Sequence, residues 1–422
     1  MKMPNFTMWF IIFVFVFGSL AIYVYEHFRY SPFALRVDFE VVKEYLFDRH
    51  VECYDTNFRN RLRSQQIDFS NRMSSYQFAL RISSFLSKLN DGITRINVPV
   101  RKVDKVLPLK FKYFQNEVIV YETNCEIPEG ATILSMNGEP IDGILEKYKG
   151  LFPNLNNYQA KYAFVDTLLS YYLKIIDANA IQLTYRLPNS AAQRTTYLKG
   201  VEKFQEKRNI VESYELDGVL FVKINSFKIS SKQDMQIVTQ TFEDLASKST
   251  DNSTIVFDLR FAEDGDETIP TIIVSSLITE QMNLYPRLFV RYKDRLVEKS
   301  QIPIQPGDKK LRGRIYFLVD NSSFYTPIKV LITNVLENNL GTVVATQEEF
   351  IFDDYFYIDA IEKILPNTKA HLILPTAIVK FITPNKMGKI ERRGDLQIAY
   401  SELVDIESYK HYALKIAKAL SR

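Results

Sequence analysis

Along the chain the apolar positions change period several times, and each change marks an element. From Ser31 to about Leu89 they recur at helical spacing. Phe78, Ile82, Phe85, Leu86 and Leu89 share one face, and Ser31-Pro32 supplies an entry turn. Asn90-Asp91-Gly92 breaks that pattern as a turn. Short strands then mix with helices: residues 117–121 and 131–136 have strand character, Asn137-Gly138-Glu139-Pro140 is a tight turn, and 158–176 is helical. Strands resume at 181–186 and 193–198, and the polar stretch 199–209 predicts a linker or exposed loop. The second half alternates cleanly. Strands at 219–224, 254–259 and 314–319 are each followed by a helix, at 234–247, 268–278 and 325–337. A strand region at 372–383 and an amphipathic helix at 407–420 complete the chain. This order predicts an α/β sandwich with parallel strand neighbours.

Composition narrows the function classes. The 422 residues suffice for two or three domains, and 46% hydrophobic with 24% charged residues excludes a disordered or fibrous chain. Lys plus Arg number 53 against 50 Asp plus Glu, a near-balance that argues against a dedicated nucleic-acid binder. Only 14 residues are glycine, about half the typical ~7%, so loops that cradle an oxyanion or phosphate with backbone N–H groups are scarce. Cys53 and Cys125 lie far apart, and His27, His50, His371 and His411 are scattered singly, so no metal or cofactor site is expected.

Met8 to Tyr25 is an uncharged run of eighteen residues, at the lower edge of the ~17–25 that span a bilayer. Trp9 near one end and Tyr23 and Tyr25 near the other fit an interfacial aromatic belt. The competing assignment is a cleaved signal peptide, with Ser19-Leu20-Ala21 as its small-x-small site. Because the apolar run continues past Ala21, an uncleaved single-pass anchor with an extracytoplasmic body is the favoured expectation. In such a compartment Cys53 and Cys125 could pair.

Six segments in order resemble the tail-specific (C-terminal processing, tricorn-like) serine peptidase family. Asn90-Asp91-Gly92-Ile93-Thr94 is similar to that family's Asp-Gly-His-Thr. Ile133-Leu134-Ser135-Met136-Asn137-Gly138-Glu139-Pro140-Ile141 resembles the end of its PDZ-like module. Leu220-Phe221-Val222-Lys223-Ile224-Asn225-Ser226-Phe227 resembles the first core strand, and Ile255-Val256-Phe257-Asp258-Leu259-Arg260 the strand before a glycine-rich loop. Ile315 to Tyr325 (IYFLVDNSSFY) resembles the strand and turn that deliver a Phe-Ser nucleophile, and Leu374-Pro375 onward the late strand.

The resemblance implies a Clp-protease/crotonase-like α/β sandwich core at 201–422. Before it come an N-terminal anchor or signal peptide at 1–30, a helical domain at 31–95 and a reduced PDZ-like α+β region at 96–200. It also implies where acyl-transfer chemistry would sit, and those positions are altered. Tyr325 stands where the family has serine, and a phenol of pKa ~10 is a poor nucleophile at neutral pH. Ile93 stands at the general-base histidine and cannot accept a proton. The neighbourhood of a lysine base reads Glu348-Glu349-Phe350-Ile351. The oxyanion loop reads Phe261-Ala262-Glu263-Asp264-Gly265-Asp266-Glu267, with Gly265 alone among four carboxylates. Rescue candidates are Ser322, Ser323, Thr326 and Lys329, the last one helical turn after Tyr325 and able to lower its phenol pKa. Glu263, Asp264, Asp266 and Glu267 are oxygen ligands of the type calcium uses, though their spacing is that of a solvated acidic turn rather than an EF-hand. Asp258 and Arg260 have the pattern of a structural ion pair. The expectation is a non-catalytic protein with no catalytic residues and no cofactor or metal, binding polypeptides or protein C-termini and attached to a membrane through the N-terminal helix. The alternatives are an active serine-type peptidase with its nucleophile relocated to Ser323 or Thr326, and a structural envelope protein.

Overall fold

The computed structural model describes residues 29–89, 91, 93–97, 105–148, 165, 168–169, 172–176, 178–188, 190–323, 325–347, 350, 352, 355–382, 389–398, 402 and 406–421. Its first region is helical: α1 (Pro32–Arg49), α2 (Thr56–Ser64) and α3 (Ser75–Leu86). Ser31 caps α1, and Pro32 occupies a first-turn position whose N–H has no intrahelical partner in any case. Ser74 and Gln77 close a capping box on α3. The apolar face of α3 (Phe78, Ile82, Phe85, Leu86) is buried against Leu35 and Phe39 of α1 and against Phe69. A short strand β1 (Arg95–Asn97) follows. Asp38, fully buried in α1, accepts from the backbone N–H groups of Asn367 (3.0 Å) and Thr368 (2.7 Å) and from the Thr368 hydroxyl (2.6 Å), tying the helices to a distant loop.

The second region is an antiparallel sheet. Its strands are β2 (Leu109–Phe114), β3 (Glu117–Thr123), β4 (Thr132–Met136), β5 (Glu139–Pro140), β6 (Ala180–Arg186) and β7 (Gln193–Lys199), in the order β2-β3-β4-β6-β7 with β5 beside β4. Helices α4 (Ile141–Tyr148) and α5 (Tyr172–Ile175) lie between β5 and β6. Gln115 and Asn116 turn the first hairpin with φ of 48° and 65°, and Asn137-Gly138 turns β4 into β5 with φ of 50° and 78°. Both pairs match the twist of the strands they join, which explains the asparagines and the glycine. Most of the helix expected at 158–176 lies outside the described residues. The polar stretch 199–209 is tied down: Val201 bridges Val106, Asn124 donates to the Gln205 carbonyl, and the Lys207 N–H donates to Glu122.

The third region begins with β8 (Val211–Leu216), β9 (Val219–Ile224), α6 (Lys232–Lys248), β10 (Thr254–Asp258) and α7 (Thr268–Leu277). It continues through β11 (Arg287–Tyr292), β12 (Arg295–Glu298), β13 (Arg314–Val319), α8 (Thr326–Asn338) and β14 (Thr342–Ala345). It ends with β15 (Tyr355–Ile364), β16 (His371–Lys380), β17 (Glu391–Arg392) and α9 (Ile406–Ser421). The central sheet runs β17-β14-β13-β10-β9-β8, parallel except for the β8–β9 hairpin. Both faces are buried, as a parallel sheet requires. Leu220, Ile255, Phe257 and Phe317 pack on α6, α7 and α8, while Phe221, Val256, Leu318 and Val344 pack on α9 and the antiparallel sheet's core.

In a separate sheet β16 pairs with β15 along one edge and with β1 and β11 on the other. Strands β11, β12, β14 and β15 carry no clear alternation in sequence. In β15 Asp359 adopts φ 53°, while the register with β16 continues unchanged on either side of it.

The membrane expectation is corrected. Among the described residues no helix is long and apolar enough to cross a membrane, and the Met8 to Tyr25 run itself lies outside the described residues. The transmembrane signal anchor, the membrane partner and the single-pass location are therefore not retained. Helix α1, the first one described, shows the physical reason within its own span: Arg36, Asp38, Glu40, Lys43 and Glu44 interrupt its apolar positions. Cys53 and Cys125 are free rather than paired. Cys53 is buried in the helical region's core, and that burial pushes its thiol up to about 12. Cys125 packs against the antiparallel sheet's core.

Candidate functional site

The carboxyl ends of β10 and β13 deliver two loops side by side, the place where an open α/β sheet carries its chemistry. The loop after β10 begins Leu259-Arg260-Phe261, and that after β13 reads Asp320-Asn321-Ser322-Ser323. They are laced together. The Phe261 N–H donates to Ser322 Oγ at 2.7 Å, and the Ser322 hydroxyl donates to the Asp320 carboxylate. Ser323 Oγ accepts from the Asp320 N–H at 3.2 Å and reaches the Leu259 carbonyl at 3.5 Å. Both serines are nearly inaccessible, 3% and 2% exposed, so neither presents a hydroxyl to solvent.

Phe261 is left-handed, with φ 59°, a conformation costing about 1–2 kcal/mol for a residue with a side chain. Its ring is buried and packs on Phe114 of β2, centroids 6.0 Å apart, which offsets that strain. The lone glycine of this loop has a packing role. A Cβ at Gly265 would fall 2.0 Å from the Phe227 carbonyl carbon, because the loop runs against the backbone of 226–228. Three of the four carboxylates serve as pairing, turn and capping groups. Glu263 pairs with Lys110 of β2 at 2.5 Å, Asp264 accepts from the Gly265 N–H, and Asp266 accepts from the Thr268 N–H at the start of α7. Burial raises the Asp264 and Glu267 carboxyls. Burial opposes ionisation of Glu263 as well, but Lys112 and Lys110 outweigh it and hold that carboxyl below its usual range. Among the described residues no group of three or more His, Cys, Asp or Glu side chains could hold a metal ion.

Tyr325 stands at the N-cap of α8 without a side-chain capping bond, half-buried against the same cluster as Phe261. Thr326 opens α8 half-buried, and Lys329 is buried one turn on, its N–H donating to the Tyr325 carbonyl at 3.0 Å. Ile93 packs with Val51, Tyr357 and Ile378, and the charge of Arg95, two residues on, acts on Asp264 beside Gly265. Tyr325 packs on the antiparallel-sheet cluster, Gly265 lies against the Phe227 backbone and Ile93 packs on the Val51 cluster. Of the neighbourhood of a lysine base, Phe350 is buried, and Glu348, Glu349 and Ile351 lie outside the described residues.

Beside Ile93 stands a histidine that sequence spacing did not connect with it. His50, at the C-terminus of α1, is fully buried, stacks on Phe58 and meets Asp91 with Nε2···Oδ2 at 2.7 Å. His50 Nδ1 accepts the Glu52 N–H at 3.1 Å. Nε2 therefore carries the proton and donates it to Asp91, leaving no free lone pair on the ring. Asp91 also accepts from Ile93 N–H (2.8 Å), Thr94 N–H (2.6 Å) and Thr94 Oγ1 (2.5 Å). Burial opposes its ionisation, yet His50 and Thr94 hold its carboxyl below the usual range.

Beneath the two loops lies a buried ionic knot. Asp258 and Arg260 form a two-pronged pair, Nε–Oδ1 2.9 Å and Nη2–Oδ2 2.7 Å. From α9, Tyr409 donates to Asp258 at 2.7 Å, while Tyr412 accepts from Arg260 Nη1 at 2.5 Å and donates to the Leu396 carbonyl. The Lys223 ammonium donates to the Arg260 carbonyl and lies 3.6 Å from Asp258. Burial works against the Asp258 charge, but Arg260 and Lys223 hold that carboxyl far below the usual range. Burial lowers Lys223 to about 8 despite Asp258, and burial raises Asp320. Lys223 had a visible signal, as the one charge in the apolar strand β9. Tyr409 and Tyr412 had none, because only the docking of α9 brings them to the knot.

No family model matches the sequence, and no curated protein matches it. Solved structures do. The photosystem II D1 C-terminal processing protease aligns over 90% of this chain and 97% of its own, with TM-score 0.50 and 12% identity. Mature CPAF complexed with lactacystin aligns over 92% of this chain and 97% of its own, with TM-score 0.58 and 12% identity. A crystal structure of mature CPAF gives the same score and is covered over 96% of its own chain. The chain has the mixed helix-and-sheet fold of the tail-specific proteases.

Proposed function

We propose that this chain is a non-catalytic, polypeptide-binding protein built on the tail-specific protease fold. The observation that carries the proposal is the closure of the loop junction. The Phe261 N–H, the one backbone donor aimed at the second loop, is spent on Ser322, whose own proton goes to Asp320. Acyl transfer needs a free hydroxyl, a base with an open lone pair and an unoccupied oxyanion donor. The junction uses the first and third internally. The second is met neither by Ile93 nor by His50, both of whose ring nitrogens are committed.

What remains of a protease fold without its chemistry is its capacity to hold extended chain. We assign residues 96–200 as a reduced PDZ-like module, 31–95 as an N-terminal helical domain and 201–422 as a Clp-protease/crotonase-like core. Strand addition at a sheet edge needs no catalytic residue, which supports binding of polypeptides or protein C-termini. The test is incubation of the full chain with a fluorophosphonate probe and, separately, with unstructured casein. Neither labelling nor cleavage is expected. Labelling that disappears in Ser323→Ala or Thr326→Ala would overturn the proposal in favour of a relocated nucleophile.

A further inference from the structure

A groove of about 560 Å³ lies between α3 and the end of α4, and its charge is one-sided. Arg29, Arg72, Arg81 and Lys147 line it, and among the described residues no carboxylate does. A second cavity of about 420 Å³ shares Arg29 and Arg72 and continues toward Pro366, so the feature is elongated. The chain as a whole carries only +3, so four cations in one groove are not an average of a basic surface.

The walls are held in place. Tyr30 and Met73 pair backbone to backbone at 2.8 and 3.3 Å, fixing the segment with Arg29 against that with Arg72. The capping box anchors the start of α3, two turns before Arg81. Lys147 is partly neutralised by Glu139 at 3.2 Å, whereas no carboxylate among the described residues pairs with Arg29, Arg72 or Arg81. Met73, which is buried, gives the floor an apolar patch.

We infer that this groove binds an acidic polypeptide segment in extended form, a partner class that rests on the proposed polypeptide binding and gives it a location. Guanidinium forks match carboxylates in pairs, and an elongated channel with an apolar floor accommodates backbone and aliphatic stems between charged contacts. A single small anion would engage only part of so long a row of cations. A membrane would meet a convex face rather than a groove, and a nucleic acid would call for a row of stacking aromatics, of which, among the described residues, Tyr148 alone lines the cavity.

The test is fluorescence anisotropy on the full chain with a labelled Glu-rich peptide and its Gln counterpart. The Glu peptide should bind at least about tenfold tighter, with affinity falling as salt rises. The double substitution Arg72→Glu/Arg81→Glu should erase that advantage while leaving the Gln peptide and the thermal unfolding midpoint unchanged. Equal binding of the two peptides, or an advantage that survives the substitution, would overturn the groove while leaving polypeptide binding intact. Binding of neither peptide would count against both. If a heparin oligosaccharide or phosphatidylserine–phosphatidylcholine vesicles bind more tightly than the Glu peptide and lose that binding on substitution, the partner class is wrong.

Discussion

The junction at Phe261–Ser322 and the groove at Arg72–Arg81 treat polar groups in opposite ways. At the junction and the knot beneath it, Ser322, Asp320, Asp258, Arg260 and Lys223 are buried and bonded to one another across four elements. In the groove, arginines are exposed and, among the described residues, share the lining with no carboxylate. A buried polar group without a partner costs about 1–3 kcal/mol, so evolution of an interior site toward stability consumes its donors and acceptors. Exposed like charges cost little and remain available to a partner. The two regions teach that one fold can spend its buried polar groups on its own loops and still keep a surface with unspent charge.

The sharpest break of this contrast is Asp258→Asn. It would leave Arg260 buried with its pairing charge removed and should destabilise by about 3–5 kcal/mol in denaturant unfolding. A loss under 1 kcal/mol would show that the knot is not what holds the loops. Phe261→Gly comes next. Relief of left-handed strain returns about 1–2 kcal/mol, while the lost aromatic packing costs about 3–5 kcal/mol. The net expectation is a loss of about 1–4 kcal/mol, and a stabilised variant would refute the packing role of the ring. Ser322→Ala should cost about 1–2 kcal/mol by stranding the Phe261 N–H.

A smaller effect is readable in pH. Lys223 titrates at about 8 in the folded chain against an ordinary value of 10.5, so between them the unfolded chain holds more protons. Stability should therefore rise with pH from 8 to about 9.5, by at most ~1.4 kcal/mol per unit. Lys223→Met should flatten that slope in unfolding curves taken across the range. The smallest effect belongs to the groove: Arg72→Glu/Arg81→Glu should move stability by no more than about 0.5 kcal/mol. A large loss there would mean that these arginines belong to the structural network after all.

Much of this was legible in sequence where pattern and local chemistry coincide. The apolar strands around Phe221, Phe257 and Phe317, the α6–α8 helices between them, the Ser31-Pro32 entry and the Asn137-Gly138 turn all follow from period and turn residues. The altered positions Tyr325, Ile93 and Phe261 were visible as residue types. Strand β15 was not, because its residues show no clear alternation and pairing with β16 makes it a strand. The N-terminal apolar run suggested a membrane span from composition alone, a signal that no described helix repeats.

By itself the sequence determined which residue types stand at the positions that the family resemblance assigns to nucleophile, base and oxyanion loop: a phenol, an isoleucine and a loop with four carboxylates. Only the tertiary structure decided what the surviving groups do instead. It brought Ser322 to Phe261, Tyr409 and Tyr412 to Asp258 and Arg260, and His50 to Asp91, and it gathered Arg29, Arg72, Arg81 and Lys147 into one groove. Those contacts join residues from distant parts of the chain. Sequence spacing carries the period of a local element, whereas long-range contacts are set by how elements pack.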